Sequence, residues 1–356
     1  MARQIKIKDI ARMAGVSAGT VDRILHNRGN VSATSRNAVE KVLSETGYKY
    51  NIHTSAVSLK KEYRLVIAIP TAVEGEYWGS ILTGINHALE EYSDIKTVCS
   101  FAYYNQFDIY SCRSAFDAVL NQNPDAVIIG GTFRSETQRL CSELDKMEIP
   151  YAFVDAMIEG TNPVVSYSSD QFACGYLVAK LLHTISGSGS NMYAILGTRR
   201  IGDEKSQNSI ARKNGFISYF TEKGLTEKIC EGKFSAIAPS ESQRDIEEFL
   251  NEHTDVKGIT VMNSRGYIVA DTIRALGKTG ISVFSFDLTS NNIRCINNGS
   301  ITAVICQRPE LQGFHAVKSL IRYLLYKQKE SVICHNMPID IIMKDNLPYY
   351  KEIFDV

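Results

Sequence analysis

From residue 64 to residue 327 the chain alternates between short β-rich runs and amphipathic helical stretches, and this alternation constrains the fold more than any other feature. A short apolar run followed by a helical pattern indicates a strand of a parallel sheet that helices cover on both faces. The predicted strands are 64–70, 97–104, 126–131, 151–156, 164–169, 191–197, 228–234, 258–263, 282–287 and 302–307. The predicted helices are 78–92, 108–121, 135–147, 171–185, 207–223, 241–251, 265–276 and 310–327.

The pattern starts again near residue 170, and the Gly- and Ser-rich segment ISGSGSN (185–191) precedes the second series of strands. We therefore expect two sheets of about five strands each instead of one large sheet. In open α/β sheets ligands bind at the carboxyl ends of the strands, and two sheets that face each other form a cleft. The pattern thus predicts an α/β body with two doubly wound parallel-sheet lobes and a hinged cleft.

Charge is distributed unevenly along the chain although the formal net charge is zero. Residues 1–61 contain eleven Lys or Arg against four Asp or Glu, whereas the remainder contains 28 against 35. A basic segment ahead of an acidic body is typical of a chain that meets a polyanion through that segment. Chance clustering of charge is the alternative interpretation.

The same basic segment has the pattern of three short helices. The first is predicted to end at Gly15, the second to begin after Ser17, and the third to lie between Ser32 and Gly47. Two helices joined by a short turn form a helix-turn-helix, whose second helix enters the major groove of DNA. The segment therefore predicts a small all-α DNA-binding head.

The second helix combines small residues with one fork-shaped donor on the face opposite its apolar stripe. Small groups allow the backbone to approach DNA, and an Arg bound to guanine through two hydrogen bonds contributes about 1–3 kcal/mol of discrimination. The predicted base-reading residues are Ala18, Gly19 and Arg23. The predicted phosphate-contacting residues are the short donors Ser17, Thr20, Asn27 and Ser32. Alternatively, these donors are only helix caps and turn formers.

Cysteine usage and the N-terminus indicate the cellular compartment. The eight cysteines are scattered without a C-x-x-C spacing, so we expect them to be reduced and mostly buried. The start MARQIKIKDIARMAG lacks the apolar core of a signal peptide, and no run approaches eighteen apolar residues. We expect a cytoplasmic protein with no membrane partner.

The N-terminal segments IKIKDIARMAGVSAGTVDRILHNRGNVS (5–32) and SRNAVEKVLSETGYKYN (35–51) together resemble the DNA-binding head of the lactose-repressor (LacI/GalR) family. They carry the pattern A-x-x-A-G-V-S-x-x-T-V-x-R-x-L and the terminal G-Y-x-x-N. The resemblance implies the same division between base-reading and backbone-contacting residues. Asp22 departs from the usual Ser, and because an acid repels phosphate and can accept from cytosine, the operator sequence cannot be carried over.

The segment NIHTSAVSLKKEYR (51–64) separates the head from the body. In the resembled family this segment is a hinge helix that wedges a side chain of each subunit into the minor groove. The resemblance places Val57 at the wedge position, whereas Tyr50 stands where the family usually has Pro. A side chain shorter than the usual Leu implies a weaker or displaced kink. A solvated linker that never inserts is the alternative.

The body resembles, less specifically, the periplasmic sugar-binding-protein fold that repressors of this family share. The segments that carry this resemblance are SSDQFACGYLVAKLL, ARKNGF, VMNS, FSFD and ICQRPELQGFHAV. Planar polar groups can each bind two adjacent hydroxyls, and an aromatic ring can cover the C–H face of a sugar. The implied ligand-binding residues are Tyr77, Trp78, Asp170, Arg212, Asn263, Asp287 and Gln307, and Asp155 at another strand end is a further candidate.

Several of these residues have a purely structural alternative. Arg212 can pair with a surface acid, Asp287 can cap the helix that follows it, and Asn263 can cap the helix that opens at Ser264.

The sequence contains no recognisable catalytic motif. No G-x-G-x-x-G follows a strand, no G-x-S-x-G or H-E-x-x-H occurs, and the seven His lack ligand spacing. We therefore expect neither an enzyme nor a bound cofactor or metal.

Together these features predict a homodimeric transcription regulator, most simply a repressor, that binds a pseudo-palindromic double-stranded DNA operator under the control of a small sugar-like effector. A sugar receptor without a DNA role and an α/β enzyme with an autoregulatory DNA-binding head are the alternatives. The predicted boundaries are 1–50 for the head, 51–63 for the linker and 64–356 for the effector domain. Within that domain one lobe is predicted to comprise 64–168 plus 290–327, and the other 169–289 plus 328–350.

Overall fold

A computed structural model describes residues 7–25, 31–46, 61–187, 191–202, 206–327 and 331–350. Two predicted DNA contacts, Asn27 and Val57, lie outside these ranges, and so does nearly all of the predicted linker. No helix within the described ranges is long and apolar enough to cross a membrane.

The head contains three helices, α1 (Ile7–Met13), α2 (Ala18–Leu25) and α3 (Ala33–Thr46). Gly15 has φ +66° and follows the end of α1, as a left-handed residue does at a helix C-terminus. The side chains of Ser17 and Ser32 accept hydrogen bonds from the backbone N–H groups of Thr20 and Ser35, at 3.1 and 3.2 Å. The buried residues that hold the three helices together are Ile10, Ala11, Val21, Ile24, Val39 and Val42. The predicted arrangement of helix, turn, helix and helix is confirmed.

The described part of the body has two six-stranded sheets, with strands numbered along the chain. The first sheet contains β1 (Tyr63–Ala68), β2 (Thr97–Phe101), β3 (Ala126–Gly130), β4 (Tyr151–Val154), β5 (Val165–Ser168) and β11 (Cys334–Asn336). The second contains β6 (Met192–Thr198), β7 (Ile229–Phe234), β8 (Val256–Val261), β9 (Ser282–Phe286), β10 (Ala303–Cys306) and β12 (Asp340–Ile342).

The strand orders of the two sheets correspond position by position. They are β11-β5-β4-β3-β1-β2 and β12-β10-β9-β8-β6-β7. Every pairing is parallel except that of β12 with β10. All ten predicted strands are present, and β11 and β12 were missed.

Helices cover both faces of each sheet. Those of the first lobe are α4 (Tyr77–Glu91), α5 (Ile109–Leu120), α6 (Arg134–Lys146) and α12 (Pro309–Tyr326). Those of the second lobe are α7 (Gln171–Ser186), α8 (Gln207–Glu222), α9 (Pro239–Glu252), α10 (Gly266–Ala275) and α11 (Ser290–Asn297). All eight predicted helices are present, and α11 was missed. The predicted two-lobed α/β architecture is confirmed.

The division of the chain between the lobes differs from the prediction. The segment 290–327 was assigned to the first lobe, but its first part forms α11 and β10 in the second. The segment 328–350 was assigned to the second lobe, but β11 pairs with β5 of the first. The reason is that β10 pairs with β9, so the chain crosses only after Cys306 and crosses back between Asn336 and Asp340.

In the first lobe two helices cross at paired glycines, Gly84 of α4 and Gly313 of α12. A Cβ atom added to Gly84 would lie 1.8 Å from the carbonyl oxygen of Glu310, and one on Gly313 would lie 2.2 Å from that of Ile81. Because real Cβ atoms do not approach so closely, the crossing requires glycine.

Two helices of the second lobe cross in the same way, at Gly175 on α7 and Gly215 on α8. A Cβ atom on Gly175 would lie 1.8 Å from the carbonyl oxygen of Arg212, and one on Gly215 would lie 2.0 Å from that of Phe172. The close crossing therefore sets the position of the Arg212 backbone.

Candidate functional site

A cavity of about 770 Å³ lies between the two lobes, at the carboxyl ends of the central strands. This volume falls within the range of roughly 300–1,000 Å³ that is usual for small-molecule sites. Six of the seven predicted ligand-binding residues line it: Tyr77, Trp78, Arg212, Asn263, Asp287 and Gln307. Asp155, the further candidate, lines it as well.

Asp170 is the predicted residue that the structure places outside the cavity. It is exposed and is the N-cap of α7, where its carboxylate accepts from the backbone N–H of Ala173 at 2.8 Å. The neighbouring Gln171 points inward instead, and it is buried and hydrogen bonded to Arg212 and Gln307. The prediction for Asp170 is therefore wrong, because its carboxylate serves as the helix cap and the side chain of Gln171 points into the site instead.

Arg212 lies at the centre of the site and is only 4% exposed. Its Nε donates to Gln171 Oε1 at 2.7 Å, Nη1 to the carbonyl oxygen of Met262 at 2.9 Å, and Nη2 to Gln307 Oε1 at 2.9 Å. The guanidinium carbon is 3.9 Å from the ring centroid of Phe286. These contacts hold the guanidinium in one orientation, and burial excludes the alternative of a surface ion pair.

Two buried carboxylates occupy matching positions in the two lobes. Asp155 follows β4 with φ +73°, and Asp287 follows the corresponding strand β9 with φ +63°. The backbone N–H of Asp155 donates to Gln312 Oε1 at 2.8 Å, and Asp287 Oδ1 accepts from Gln307 Nε2 at 2.8 Å. A left-handed backbone at a non-glycine residue costs on the order of 1–3 kcal/mol and is characteristic of binding sites.

Burial raises the pKa values of both carboxyl groups. The pKa of Asp287 rises to about 7, since desolvation and the charge of Asp155 outweigh the lowering by Arg212 and Gln307. The pKa of Asp155 is also raised by burial, against the lowering effects of Arg212 and the Tyr77 hydroxyl. The site thus holds two acids that compete for a single buried cation.

Two aromatic residues form the first-lobe wall of the cavity at the start of α4. Tyr77 donates its hydroxyl to Asp155 Oδ1 at 2.8 Å, and Trp78 donates Nε1 to Gln106 Oε1 at 3.3 Å. The rings meet edge to face with centroids 5.3 Å apart. Gly130 makes room for the indole, because a Cβ there would lie 2.7 Å from the Trp78 ring.

The helix-cap alternative fails for Asp287 and holds in part for Asn263. Thr289, not Asp287, caps α11 by accepting from the backbone N–H of Asn292 at 3.2 Å. Asn263 does accept from the backbone N–H of Arg265 at 2.9 Å, but it also lines the cavity, where its Nδ2 donates to Thr198 Oγ1 at 3.1 Å.

The sequence interpretation missed several polar residues of the site. Asn208 Nδ2 donates to the carbonyl oxygen of Asp155 at 3.2 Å across the lobes, and Gln312 Nε2 donates to the carbonyl oxygen of Gln307 at 2.9 Å. Arg200 and Lys233 line the cavity from the ends of β6 and β7. Arg200 follows the predicted strand 191–197, and this position could have indicated it.

The lobes are in direct contact at both ends of the cavity. At one end Arg265 Nη1 donates to Glu76 Oε2 at 2.6 Å, and the backbone N–H of Ser290 donates to the carbonyl oxygen of Gly75 at 2.7 Å. At the other end the backbone N–H of Ile201 donates to the carbonyl oxygen of Phe107 at 2.7 Å. The cleft is therefore closed in this structure.

The described DNA-contact candidates lie along α2, with Arg23 in its last turn, and at the start of α3. Ser17, Gly19 and Arg23 are exposed, and Ala18 and Thr20 are partly exposed. Ser32 at the start of α3 is also exposed. Ser17 and Ser32 cap their helices, which agrees with the purely structural alternative. Both are also exposed, so they remain accessible to a DNA backbone.

No group of three or more His, Cys, Asp or Glu side chains in the described ranges is arranged to hold a metal ion. All eight cysteines are free thiols, and burial raises the pKa of Cys174, near the site, to about 11.

The fold and the cleft define a helix-turn-helix protein with a two-lobed binding body. Residues 65–329 match the periplasmic binding protein domain family, and residues 6–51 match the lacI family of bacterial regulatory proteins. The chain therefore belongs to the periplasmic binding protein domain family, and its head is a lacI-family DNA-binding domain.

Two curated relatives show how far the similarity extends along the chain. The transcriptional regulator DegA of Bacillus subtilis is 26% identical over 223 residues, which are 62% of this chain and 61% of DegA. The sucrose operon repressor of Pediococcus pentosaceus is 23% identical over 290 residues, covering 78% of this chain and 83% of the repressor.

Solved structures support the same architecture. A putative LacI transcriptional regulator from Bacteroides fragilis is similar with a TM-score of 0.76 and 29% identity, covering 82% of this chain and all of that one. The regulator CelR in complex with cellobiose has a TM-score of 0.61 and 17% identity, over 95% of this chain and 98% of that one. At that identity the second likeness concerns the fold alone.

Proposed function

We propose that this chain is a sequence-specific DNA-binding repressor whose operator affinity is set by a polyhydroxylated ligand in the cleft. The observation that carries the proposal is the buried cluster of Arg212, Asp155 and Asp287 in a closed cavity, in a chain that also has a helix-turn-helix head. Carboxylates accept from hydroxyls, the guanidinium donates to them, and the Trp78 ring can cover C–H groups. One similar protein is a sucrose operon repressor and another is a regulator in complex with cellobiose, which agrees with a sugar ligand.

Control of DNA binding follows from the two-lobed design. A ligand that contacts both walls favours the closed arrangement by its differential affinity for the closed and open states. The chain runs from the first lobe into the linker, so lobe movement changes the spacing of two heads on a pseudo-palindromic operator. Ligand and DNA then alter each other's affinity by the same factor.

The proposal includes a homodimer in the cytoplasm. The edge strand β2 exposes Val98 and Phe101, and Phe101 stacks on Tyr103 with centroids 5.2 Å apart. Exposed apolar groups on an edge strand are suited to burial against a second copy. Light scattering of the purified chain tests this part, since a monomer at the concentrations used for DNA binding contradicts it.

The experiment that tests the function is a thermal-shift screen against neutral sugars, sugar acids and sugar phosphates. A ligand at 100 times its dissociation constant should stabilise the folded state by about 2.7 kcal/mol. The best ligand is then added to a DNA-binding titration. A stabilising ligand that leaves operator affinity unchanged would contradict the regulatory role, and a screen without stabilisation would contradict the saccharide site.

The DNA-binding part of the proposal has a separate test in Arg23. Arg23→Ala should cost about 1–3 kcal/mol on the operator and relax one base position, because a base contact is removed. Lys6→Ala is the control and should weaken binding to every duplex alike. Equal losses on operator and scrambled DNA for Arg23→Ala would exclude the base-reading role. A steady-state assay for turnover of the identified ligand tests the expectation that the chain is not an enzyme.

A further inference from the structure

The cavity extends well beyond the residues that the sequence interpretation assigned to the ligand. It is lined by residues in or just after four neighbouring strands of the second sheet, in the order β9, β8, β6 and β7. Neighbouring strands are about 4.8 Å apart, so three steps span about 14 Å. This length exceeds one sugar ring with its hydroxyls.

The two ends of this cavity carry opposite charge. Asp287 after β9, together with Asp155 of the first lobe, forms what we call the acidic end. Four cations form what we call the basic end, beside β6 and β7: Arg199, Arg200, Lys213 and Lys233. Glu231 is the acidic residue that lines the same end.

The charges of the basic end are only partly neutralised by protein groups. Lys213 pairs with Glu231 at 2.5 Å, and Arg199 pairs with Asp245 at 2.5 Å. Arg200 donates to the carbonyl oxygen of Gln106 at 2.6 Å. Lys233 is exposed and forms no ion pair with any residue that the structure describes. Among the described residues, the lining cations outnumber the acids that pair with them, so a net positive charge is left at the end of the cavity away from Asp155 and Asp287.

The backbone at the basic end is also suited to an anion. Helix α8 begins there, with Ser209 of its first turn lining the cavity and with no acidic residue in that turn. The N–H groups at the start of a helix favour negative charge. Gly197 of β6 lines the cavity and leaves it open there, since a Cβ on this residue would have no neighbour closer than 3.9 Å.

We propose that the cleft takes an elongated anionic saccharide, with a hydroxyl-rich ring at the acidic end and a carboxylate or phosphate at the basic end. This inference rests on the proposed function, because it assumes that the cleft holds a saccharide. The direction of the ligand follows from charge, since two buried carboxyl groups face the single cation Arg212 at the acidic end, whereas cations outnumber acids at the basic end. A neutral monosaccharide would leave the basic end filled with water.

The test is a calorimetric titration of the full-length protein with three matched series of ligands. The first series contains neutral disaccharides, the second the same disaccharides with one ring oxidised to the uronic acid, and the third their 6-phosphates. We expect one anionic series to bind about tenfold more tightly than the neutral one at low ionic strength. The difference should shrink in salt, because the basic end is partly exposed. The comparison of the second and third series distinguishes carboxylate from phosphate.

Two substitutions at the basic end should act in opposite directions. Lys233→Gln should weaken binding of the anionic ligand about fivefold, and Glu231→Gln should strengthen it by a similar factor, since partly exposed charges interact modestly. The effect of each variant on a neutral disaccharide, which has no charge for these residues to attract or repel, should be smaller than its effect on the anionic ligand. Lys223→Gln, at the exposed end of α8 and outside the cavity, is the matched control.

The outcomes separate this inference from the proposed function. Neutral disaccharides that bind as tightly as the anionic ones would overturn the inference and leave the saccharide site standing. The same holds if Lys233→Gln and Lys223→Gln have equal effects. If no member of any series binds, both proposals fail.

Discussion

The two lobes have the same strand order and the same glycine helix crossing, and yet they contribute different chemistry to the cleft. The first lobe contributes three aromatic rings, from Tyr77, Trp78 and Phe107, and one carboxylate that accepts a hydrogen bond from Tyr77. The second contributes Arg212, Asp287 and all the cations of the basic end. The difference teaches that the fold fixes where side chains meet, whereas residue identity at equivalent strand ends decides what they bind.

The largest effect on stability is expected from substitutions at the two helix crossings, one in each lobe. Gly84→Val and Gly175→Val should each lower the free energy of unfolding by more than about 3 kcal/mol, because a side chain would collide with the facing backbone. Denaturant titration followed by circular dichroism measures the loss. Gly197→Ala, where a Cβ has room, is the control and should cost far less.

The same pair of variants distinguishes the lobes functionally at permissive temperature. Folded Gly175→Val should also lose ligand binding, since the displaced backbone carries Arg212, whereas folded Gly84→Val should retain it. Equal ligand affinity in the two variants would show that the crossing does not position Arg212.

The second-largest effect is expected on ligand affinity, from substitution of the buried cation Arg212. Arg212→Met should reduce ligand affinity at least about 100-fold, which corresponds to about 2.7 kcal/mol, since a fixed guanidinium donor is removed. Arg274→Met, an exposed arginine on α10, is the matched control. Because Arg212 lowers the pKa of Asp287, the variant should also titrate this acid at higher pH. Retained affinity in Arg212→Met would remove Arg212 from the binding site.

The third effect compares the two equivalent acids by their pH dependence. With the pKa of Asp287 at about 7 in the folded state and near 4 when unfolded, protonation stabilises the fold at low pH and this stabilisation is lost as pH rises through 7. The free energy of unfolding should therefore fall by about 1.4 kcal/mol between pH 6 and pH 8. Asp287→Asn should abolish the fall and be more stable at pH 8, although it binds ligand poorly.

Asp155→Asn sharpens this comparison. Because the charge of Asp155 is one cause of the raised pKa of Asp287, its removal should shift the stability change to lower pH without abolishing it. A stability profile that is the same in the wild-type protein and in Asp287→Asn would show that another group titrates.

The smallest effect concerns the contact that holds the lobes together. Glu76→Gln should weaken ligand binding by about two- to fivefold, because it removes the partly buried ion pair with Arg265 that favours closure. Small-angle scattering should show a more open ligand-free protein. The double variant Glu76→Arg with Arg265→Glu should restore both the ligand affinity and the closed arrangement. If it does not, the individual side chains matter more than their ion pair.

The sequence predicted the strands well where burial leaves a continuous apolar run. VIA in β1 and VII in β3 are fully buried, and such runs are recognisable without a structure. The missed elements are different in kind. Helix α11 reads SNNIRCIN, and β11 and β12 have three residues each, so they depend on partners that are distant in sequence.

The candidate site could be predicted where a polar residue follows a strand, as with Asp287 and Gln307. It could not be predicted where two polar neighbours compete, as with Asp170 and Gln171, because Asp is also a preferred N-cap. The cation at Lys233 was overlooked for a related reason, since an exposed Lys on an edge strand usually has no partner.

The threading of the chain through both lobes has a consequence for its synthesis. The first sheet is completed only by β11 and the second only by β12, and both strands come after all the others along the chain. During synthesis both sheets therefore lack an edge strand until these last strands have been made, and neither lobe can reach its final stability before then. A premature stop codon ahead of residue 334 would damage both lobes at once and leave an intact DNA-binding head attached to a body that cannot close.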